Sequence, residues 1–278
     1  MEAYASGSLA ASVAVGAGAT STTVPGLLPG HSYRFRVATR NTFGLSGWSA
    51  LSDTVVLPPA DVTPFAGASA LVTRQYLDFV GRAPSPSELS AGVTAITTGA
   101  QSSAQWVAAM RDRPEWGTVR APIIRLYSAY FLRLPDASGL AYWSSKVRAG
   151  TSLTAVSDSF AASKEFTMRY GTLSNAAFVA LVYQNVLGRA PDSSGSSFWV
   201  GQLSKGKSRG YVMGSMSESK EHIRLMAPTV DIVLLYTAML RRSPTPTELA
   251  DALDLLAGAD VVSLTSQLLH LPAYAARL

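Results

Sequence analysis

Residues 201–208, Gly-Gln-Leu-Ser-Lys-Gly-Lys-Ser, satisfy the phosphate-loop pattern GxxxxGK[ST] letter for letter. Such a loop must follow a buried strand and open a helix, so that its amides converge on the anion. Overlapping it, residues 206–210 fit GxSxG, the turn that exposes a nucleophilic serine, which also needs a preceding strand, a histidine and an acid. Neither context is present. The segment before Gly201 reads as a helix carrying Trp199, and the histidines are limited to His31, His222 and His270. His222 and His270 occupy or adjoin positions that hold aromatics in sister copies of a repeat described below, which makes them packing residues before bases. No catalytic residue is assigned, and an enzyme is the third-ranked reading of the chain.

Metal chemistry is as poorly supported. The chain has no cysteine, so thiolate zinc sites and cysteine nucleophiles are excluded together. Asp136 and Asp192 stand beside serines and a glycine instead of in an acidic loop, and helix capping explains them, with weak calcium binding left open. No cofactor-binding or metal-binding residue is assigned. Two aromatic pairs remain, Tyr142 with Trp143 and Phe198 with Trp199. Exposed, they would form platforms on which sugar rings stack. Buried, they would be core, which is the favoured reading because one ring of each pair must face inward at the centre of a short helix. These four are the candidate ligand-binding residues.

The elements that position them come from an internal repeat. Tyr76, Tyr127, Tyr183 and Tyr236 are spaced 51, 56 and 53 residues apart, and each opens YxxxxxRxP, with Arg82, Arg133, Arg189 and Arg242 and then Pro84, Pro135, Pro191 and Pro244. Four matches at near-constant period mark repeated structural units. Around each tyrosine runs a helical apolar stripe, such as Ile123, Leu126, Tyr127, Tyr130 and Phe131. After each proline, Ser85, Asp136, Asp192 or Thr245 is expected to cap a second helix, with full capping boxes at Ser85/Glu88 and Thr245/Glu248. In the inner copies Gly139 and Gly195 replace that glutamate and permit close approach of backbone. Gly99, Gly150, Gly206 and Gly258 are expected to stop the second helix in the left-handed conformation. A third helix ends in Trp116, Phe166, His222 and Tyr274, and the recurring arginine is expected to pair with its Glu115, Glu165 or Glu221.

Ahead of the repeats, Leu9, Ala11, Val13 and Val15 alternate with small or polar residues, and Tyr33, Phe35, Val37 and Thr39 alternate with arginines and an alanine, as half-buried strands do. The stretch LLPGHSYRFRVATRNTFGLSGWS from Leu27 resembles the last two strands of a fibronectin type III domain, with Tyr33 in its tyrosine corner and Asn41 and Gly44 at its final turn. The resemblance implies a module of about 90 residues, so residues 1–58 are expected to form an incomplete one within a longer, exported chain. The stretches LYSAYFLRLPDASGLAYW from Leu126 and FVALVYQNVLGRAPDSSGSSFW from Phe178, with ASKEF and ESKEH downstream, resemble the bacterial domain-of-unknown-function family 4214, itself similar to phycobilisome linker domains. That resemblance runs over residues 68–278, strongest in the inner copies, and implies a secreted or cell-surface location.

The whole chain has 278 residues, 47% of them hydrophobic, which allows a sizeable core and more than one unit. The net charge is +5, but the basic residues are scattered, which argues against nucleic acid. No apolar run approaches the roughly 20 residues of a membrane span. The expected fold is mainly α, an array of four three-helix repeats with a partial all-β N-terminal module. The expected divisions are 1–58 for the β module, 59–67 for a linker, and 68–120, 121–174, 175–226 and 227–278 for the repeats, the outer two acting as caps. The expected function is non-catalytic binding of an envelope polysaccharide or a surface protein. The alternative is a scaffold or self-assembly element, with oligomeric state left open.

Overall fold

In the computed structural model, which describes residues 1–278, the chain is mainly helical with a small antiparallel sheet at its N-terminus, as the two hydrophobic periodicities predict. Residues group into two compact units, Met1–Val107 and Ala108–Leu278.

In the first unit, β1 (Glu2–Ala5) and β2 (Ser8–Ser12) form a hairpin through Ser6 and Gly7, both with positive φ. β1 pairs with β3 (Ser32–Arg36), the short hairpin β4 (Arg40–Asn41) and β5 (Gly44–Leu45) follows, and β6 (Val55–Val56) pairs with β3, giving the order β2-β1-β3-β6. The alternation around Leu9 did not reveal β1, and Leu9 and Val15 are exposed. β3 also ends before Val37. There the amides of Phe35, Val37 and Thr39 donate to the hydroxyls of Ser52, Ser49 and Ser46, while the amides of those serines donate back to the same three residues' carbonyls, so serine hydroxyls stand in for half of a strand ladder. Tyr33 is buried and its hydroxyl accepts from Leu28 N–H at 2.8 Å, while Asn41 Oδ1 accepts from Phe43 N–H at the final turn. Within residues 59–67, the Asp61 carbonyl accepts from the Ser103 hydroxyl.

The first copy contributes α1 (Ala68–Gln75), a π-helical turn Tyr76–Val80, α2 (Pro86–Thr97) and α3 (Ser103–Ala109). Its second helix has Gly92 where the inner copies have tryptophan. Trp106 of α3 fills that room instead, so close that a Cβ on Gly92 would lie 2.8 Å from its ring.

The second unit holds α4 (Ala121–Phe131), α5 (Ala137–Arg148), α6 (Leu153–Ala161), α7 (Lys164–Tyr170), α8 (Asn175–Leu187), α9 (Ser193–Ser204), α10 (Arg209–Ser217), α11 (Lys220–Met239), α12 (Pro246–Gly258), α13 (Val261–Leu269) and α14 (Pro272–Ala275). Four features differ from the expected three-helix copy. The third helix breaks in two, because Ser163 and Ser219 each cap a new helix. α11 runs unbroken across the expected boundary at 226/227, carrying Pro228 inside it, whereas Gly171, at φ 65°, separates α7 from α8. Gly258 is the last residue of α12 and has no positive φ, unlike Gly99, Gly150 and Gly206. Lastly, α4 and the second half of α11 are buried on nearly every side, not along one stripe.

The reason for that burial is the way the copies pack. α4 touches α5, α6, α7, α8, α10 and α11, so the second copy contacts both the third and the fourth. A one-dimensional stack, in which each repeat meets only its neighbours, would not do this. The closest packing joins α6 to α10. A Cβ on Gly210 would collide with the backbone and carboxylate of Asp158, and Gly214 lies over Ser157.

Candidate functional site

The YxxxxxRxP signature builds the same staple four times. Each tyrosine is buried, and the arginine six residues on lays its guanidinium over that ring, at 5.6 Å for Arg82, 5.1 Å for Arg133, 5.6 Å for Arg189 and 5.7 Å for Arg242. The chain can fold back this way because the residue before each arginine is left-handed: Gly81, Leu132, Gly188 and, in the fourth copy, Arg241. Arg82, Arg133 and Arg242 also donate to the carbonyl of the next residue, just ahead of the proline.

The ionic partner of that arginine depends on the copy. Arg133 pairs with Glu165 at 2.7 Å and Arg189 with Glu221 at 3.3 Å, as expected. Arg82 and Arg242 instead take Glu88 and Glu248, the capping-box glutamates of their own second helices. Those pairings and the cap amides hold both carboxyls down to about 2, with the arginine the larger cause. Glu115, expected beside Arg82, is bonded to Arg148. In the inner copies a glycine stands where the capping glutamate would be, and the approaching group is a side chain, not backbone. A Cβ on Gly139 would lie 2.6 Å from the Tyr127 hydroxyl, and Gly195 meets Tyr183 the same way.

All four predicted N-caps are found. Ser85 and Thr245 form full capping boxes, and Asp136 and Asp192 accept from Gly139 and Gly195 N–H at 2.6 and 2.7 Å. Hydrogen bonds from the Ser138 and Ser194 hydroxyls, then from those amides, hold both aspartates below the usual carboxylate range. Oδ1 of each aspartate is thus taken up by capping, and no three His, Asp or Glu side chains gather into a cluster that could hold a metal.

The phosphate-loop look-alike is the end of one helix and the start of another. Gly201–Ser204 lies in α9, Gly206 (φ 86°) stops it with its N–H donating to the Leu203 carbonyl and the Lys207 N–H donating to that of Gln202, and the Ser208 hydroxyl accepts from Tyr211 N–H as the cap of α10. His222 is buried, with Nδ1 2.8 Å from the Ser217 carbonyl, and burial pulls its pKa below the ordinary value. Its equivalents Trp116, Phe166 and Tyr274 are buried too, which is why a histidine there packs.

The aromatic pairs sit at equivalent points on α5 and α9. In each, the tryptophan is half-buried: Trp143 lies edge-on to Phe160 at 5.2 Å, and Trp199 is tilted toward Tyr211 at 6.5 Å. The neighbouring ring faces outward, Tyr142 at 53% exposure and Phe198 at 56%, packed edge-on against its tryptophan at 5.0 and 4.9 Å.

Sequence reasoning did not find the ties between copies. Asp158 of the second copy accepts from Gly210 N–H at 2.8 Å, helping to cap α10 of the third. Arg125 of α4, 6% exposed, makes a two-pronged pair with Glu218 after α10, at 2.7 and 2.6 Å. Asn185 of α8 donates to the Ala129 carbonyl of α4 at 2.8 Å. Two of these three ties run to α4, and the third joins α6 to α10. Residues 157–226 match a family described as a domain of unknown function, DUF4214. The DUF4214 match begins at Ser157, against which Gly214 packs, so it takes in the tail of the second copy and all of the third. It is narrower than the span over which the resemblance was read, and it assigns no reaction. No curated protein matches the chain.

Proposed function

We propose that this protein is a non-catalytic interaction module which binds an envelope polysaccharide through the aromatic pairs of its inner copies. The observation that carries this reading is the repetition. At the same point of α5 and α9 a half-buried tryptophan fixes an exposed ring, Tyr142 or Phe198, that packing does not require. A rigid aromatic face with one side in water presents area to an apolar sugar face at little entropic cost. The tyrosine corner at Tyr33 supports reading residues 1–58 as part of a fibronectin type III-like module, and with the DUF4214 match it supports a secreted or cell-surface protein, bacterial by resemblance.

A glycan array and a cell-wall pull-down with the full chain test this. Binding should fall about tenfold or more in Tyr142→Ala/Phe198→Ala, with thermal stability unchanged, since the lost rings are solvent-facing. No glycan retained, or retention indifferent to both rings, sinks the reading. Mass that rises with concentration in place of glycan binding would favour the scaffold alternative, and Ser208-dependent hydrolysis of ATP or an ester would favour an enzyme.

A further inference from the structure

The span from the first residue of the second helix to the cap of the next occurs four times, as residues 86–102, 137–152, 193–208 and 246–260. The outer two carry no lysine or arginine, and their charges are all carboxylates: Glu88 in the first copy, and four from Glu248 to Asp260 in the fourth. The inner two reverse this, with Lys146 and Arg148 in one, Lys205 and Lys207 in the other, and no carboxylate in either. These are also the two spans that bear an aromatic pair. All five lysines of the chain fall between 146 and 220, inside the inner copies.

Arginine and lysine divide the work in these copies. Arg133, Arg148 and Arg189 pair with Glu165, Glu115 and Glu221, whereas Lys146 and Lys207 are exposed and have no carboxylate within ion-pair distance. Each lysine instead reaches the aromatic cluster of its own copy. Lys146 Nζ lies 5.5 Å from the centre of the Tyr142 ring, and Lys207 Nζ lies 4.8 Å from that of Tyr211, the ring beside Trp199. A cation–π contact is weak at an exposed site, so a ligand anion can draw the ammonium off the ring at no cost to the fold. A neutral glycan needs the aromatic face alone. An anionic one also calls for a cation within reach of that face and for no carboxylate around it, which both inner spans supply. We propose that the polysaccharide is acidic, its sugar rings lying on Tyr142 and Phe198 and its anionic substituents meeting Lys146 and Lys207. The inference rests on the polysaccharide reading above and names the class of sugar.

Calorimetry with the full chain at physiological salt tests it, using carboxymethyl-dextran and dextran sulfate against plain dextran, polygalacturonate against its methyl ester, and polyglutamate as a polyanion without sugar. At least one acidic polysaccharide should bind about tenfold or more tighter than its uncharged counterpart and than polyglutamate. Carboxymethyl-dextran or polygalacturonate alone would assign a carboxylate, dextran sulfate alone a sulfate-type or phosphate-type ester, and each upholds an acidic ligand. Lys146→Gln/Lys207→Gln should weaken that binding about tenfold, whereas Lys164→Gln/Lys220→Gln, which removes the same charge from α7 and α11, should change it by about twofold at most, since salt screens charges remote from the ligand. Equal binding of the uncharged forms, polyglutamate bound as tightly as the acidic sugars, or undiminished binding by Lys146→Gln/Lys207→Gln would overturn it. Retention of uncharged glycans alone, through Tyr142 and Phe198, would sink this inference and leave the polysaccharide reading standing; retention of no glycan would sink both. The comparison of acidic with uncharged polymer uses the unmodified protein and stands even if a variant fails to fold.

Discussion

Gly195 shows how one residue can be fixed by another far along the chain. It occupies a helical position at which alanine would ordinarily be favoured by about 1 kcal/mol. The Tyr183 hydroxyl fills the space that a Cβ needs, so Gly195→Ala is expected to destabilise by about 1–2 kcal/mol, the usual cost of overpacking. Tyr183→Phe in the same chain should recover most of that loss, and chemical denaturation of the two single variants and the double gives the coupling; additivity would remove the contact from the explanation. His222 makes a second prediction at this scale. Burial lowers its folded pKa below the ordinary value of 6.5, so below about pH 6.5 the unfolded chain binds more protons than the folded one. Its contribution to stability is complete above that pH and is lost as pH falls toward the folded value. Thermal melts from pH 8 to 5 should show a slope that His222→Phe, the residue type of the second copy, flattens.

Helix ends decide the shape of each copy, and they do so through left-handed residues. Glycine meets this demand at Gly81 and Gly188, but Leu132 (φ 51°) and Arg241 (φ 57°) hold the same conformation with a side chain attached. An L-residue in that region costs roughly 1–2 kcal/mol. Gly188→Ala should therefore lower stability by about 1 kcal/mol, and Leu132→Gly should raise it by a similar or smaller amount, because glycine also loosens the unfolded chain. Urea midpoints of both variants check the pair. A Gly188→Ala variant as stable as the parent would mean that the turn ahead of the arginine is not what positions the guanidinium over its tyrosine.

Across the whole molecule, the second unit is held by ties that join different copies. Glu218→Ala would leave Arg125, almost wholly enclosed, without its partner, and the expected loss is about 3 kcal/mol, the lower end for breaking a buried pair because Glu218 is itself partly exposed. Arg125→Met/Glu218→Leu, which removes both charges and keeps volume, should lie within about 1 kcal/mol of the parent. A small loss in Glu218→Ala would show that water reaches Arg125 and that the packing of α4 on α10 rests on apolar contact alone.

The repeat, its caps and its local helices were legible in the chain because each depends on residues close in sequence: a hydroxyl or carboxylate three positions before the amide it accepts from, a stop glycine, a proline that ends one element before the next. The failure of Gly201–Ser208 as a phosphate loop was legible for the same reason, since its neighbours already spelled a helix end. Of the candidate ligand-binding set, the sequence located Tyr142, Trp143, Phe198 and Trp199, but not which ring of each pair faces water. Burial of α4 on every side, the approach of Gly210 to Asp158 and the Arg125–Glu218 pair all depend on which copy lies against which. Tertiary structure alone decides these, because copies built on one signature carry similar local signals, and the side chains that differ between them, packed across long separations, set where each copy goes.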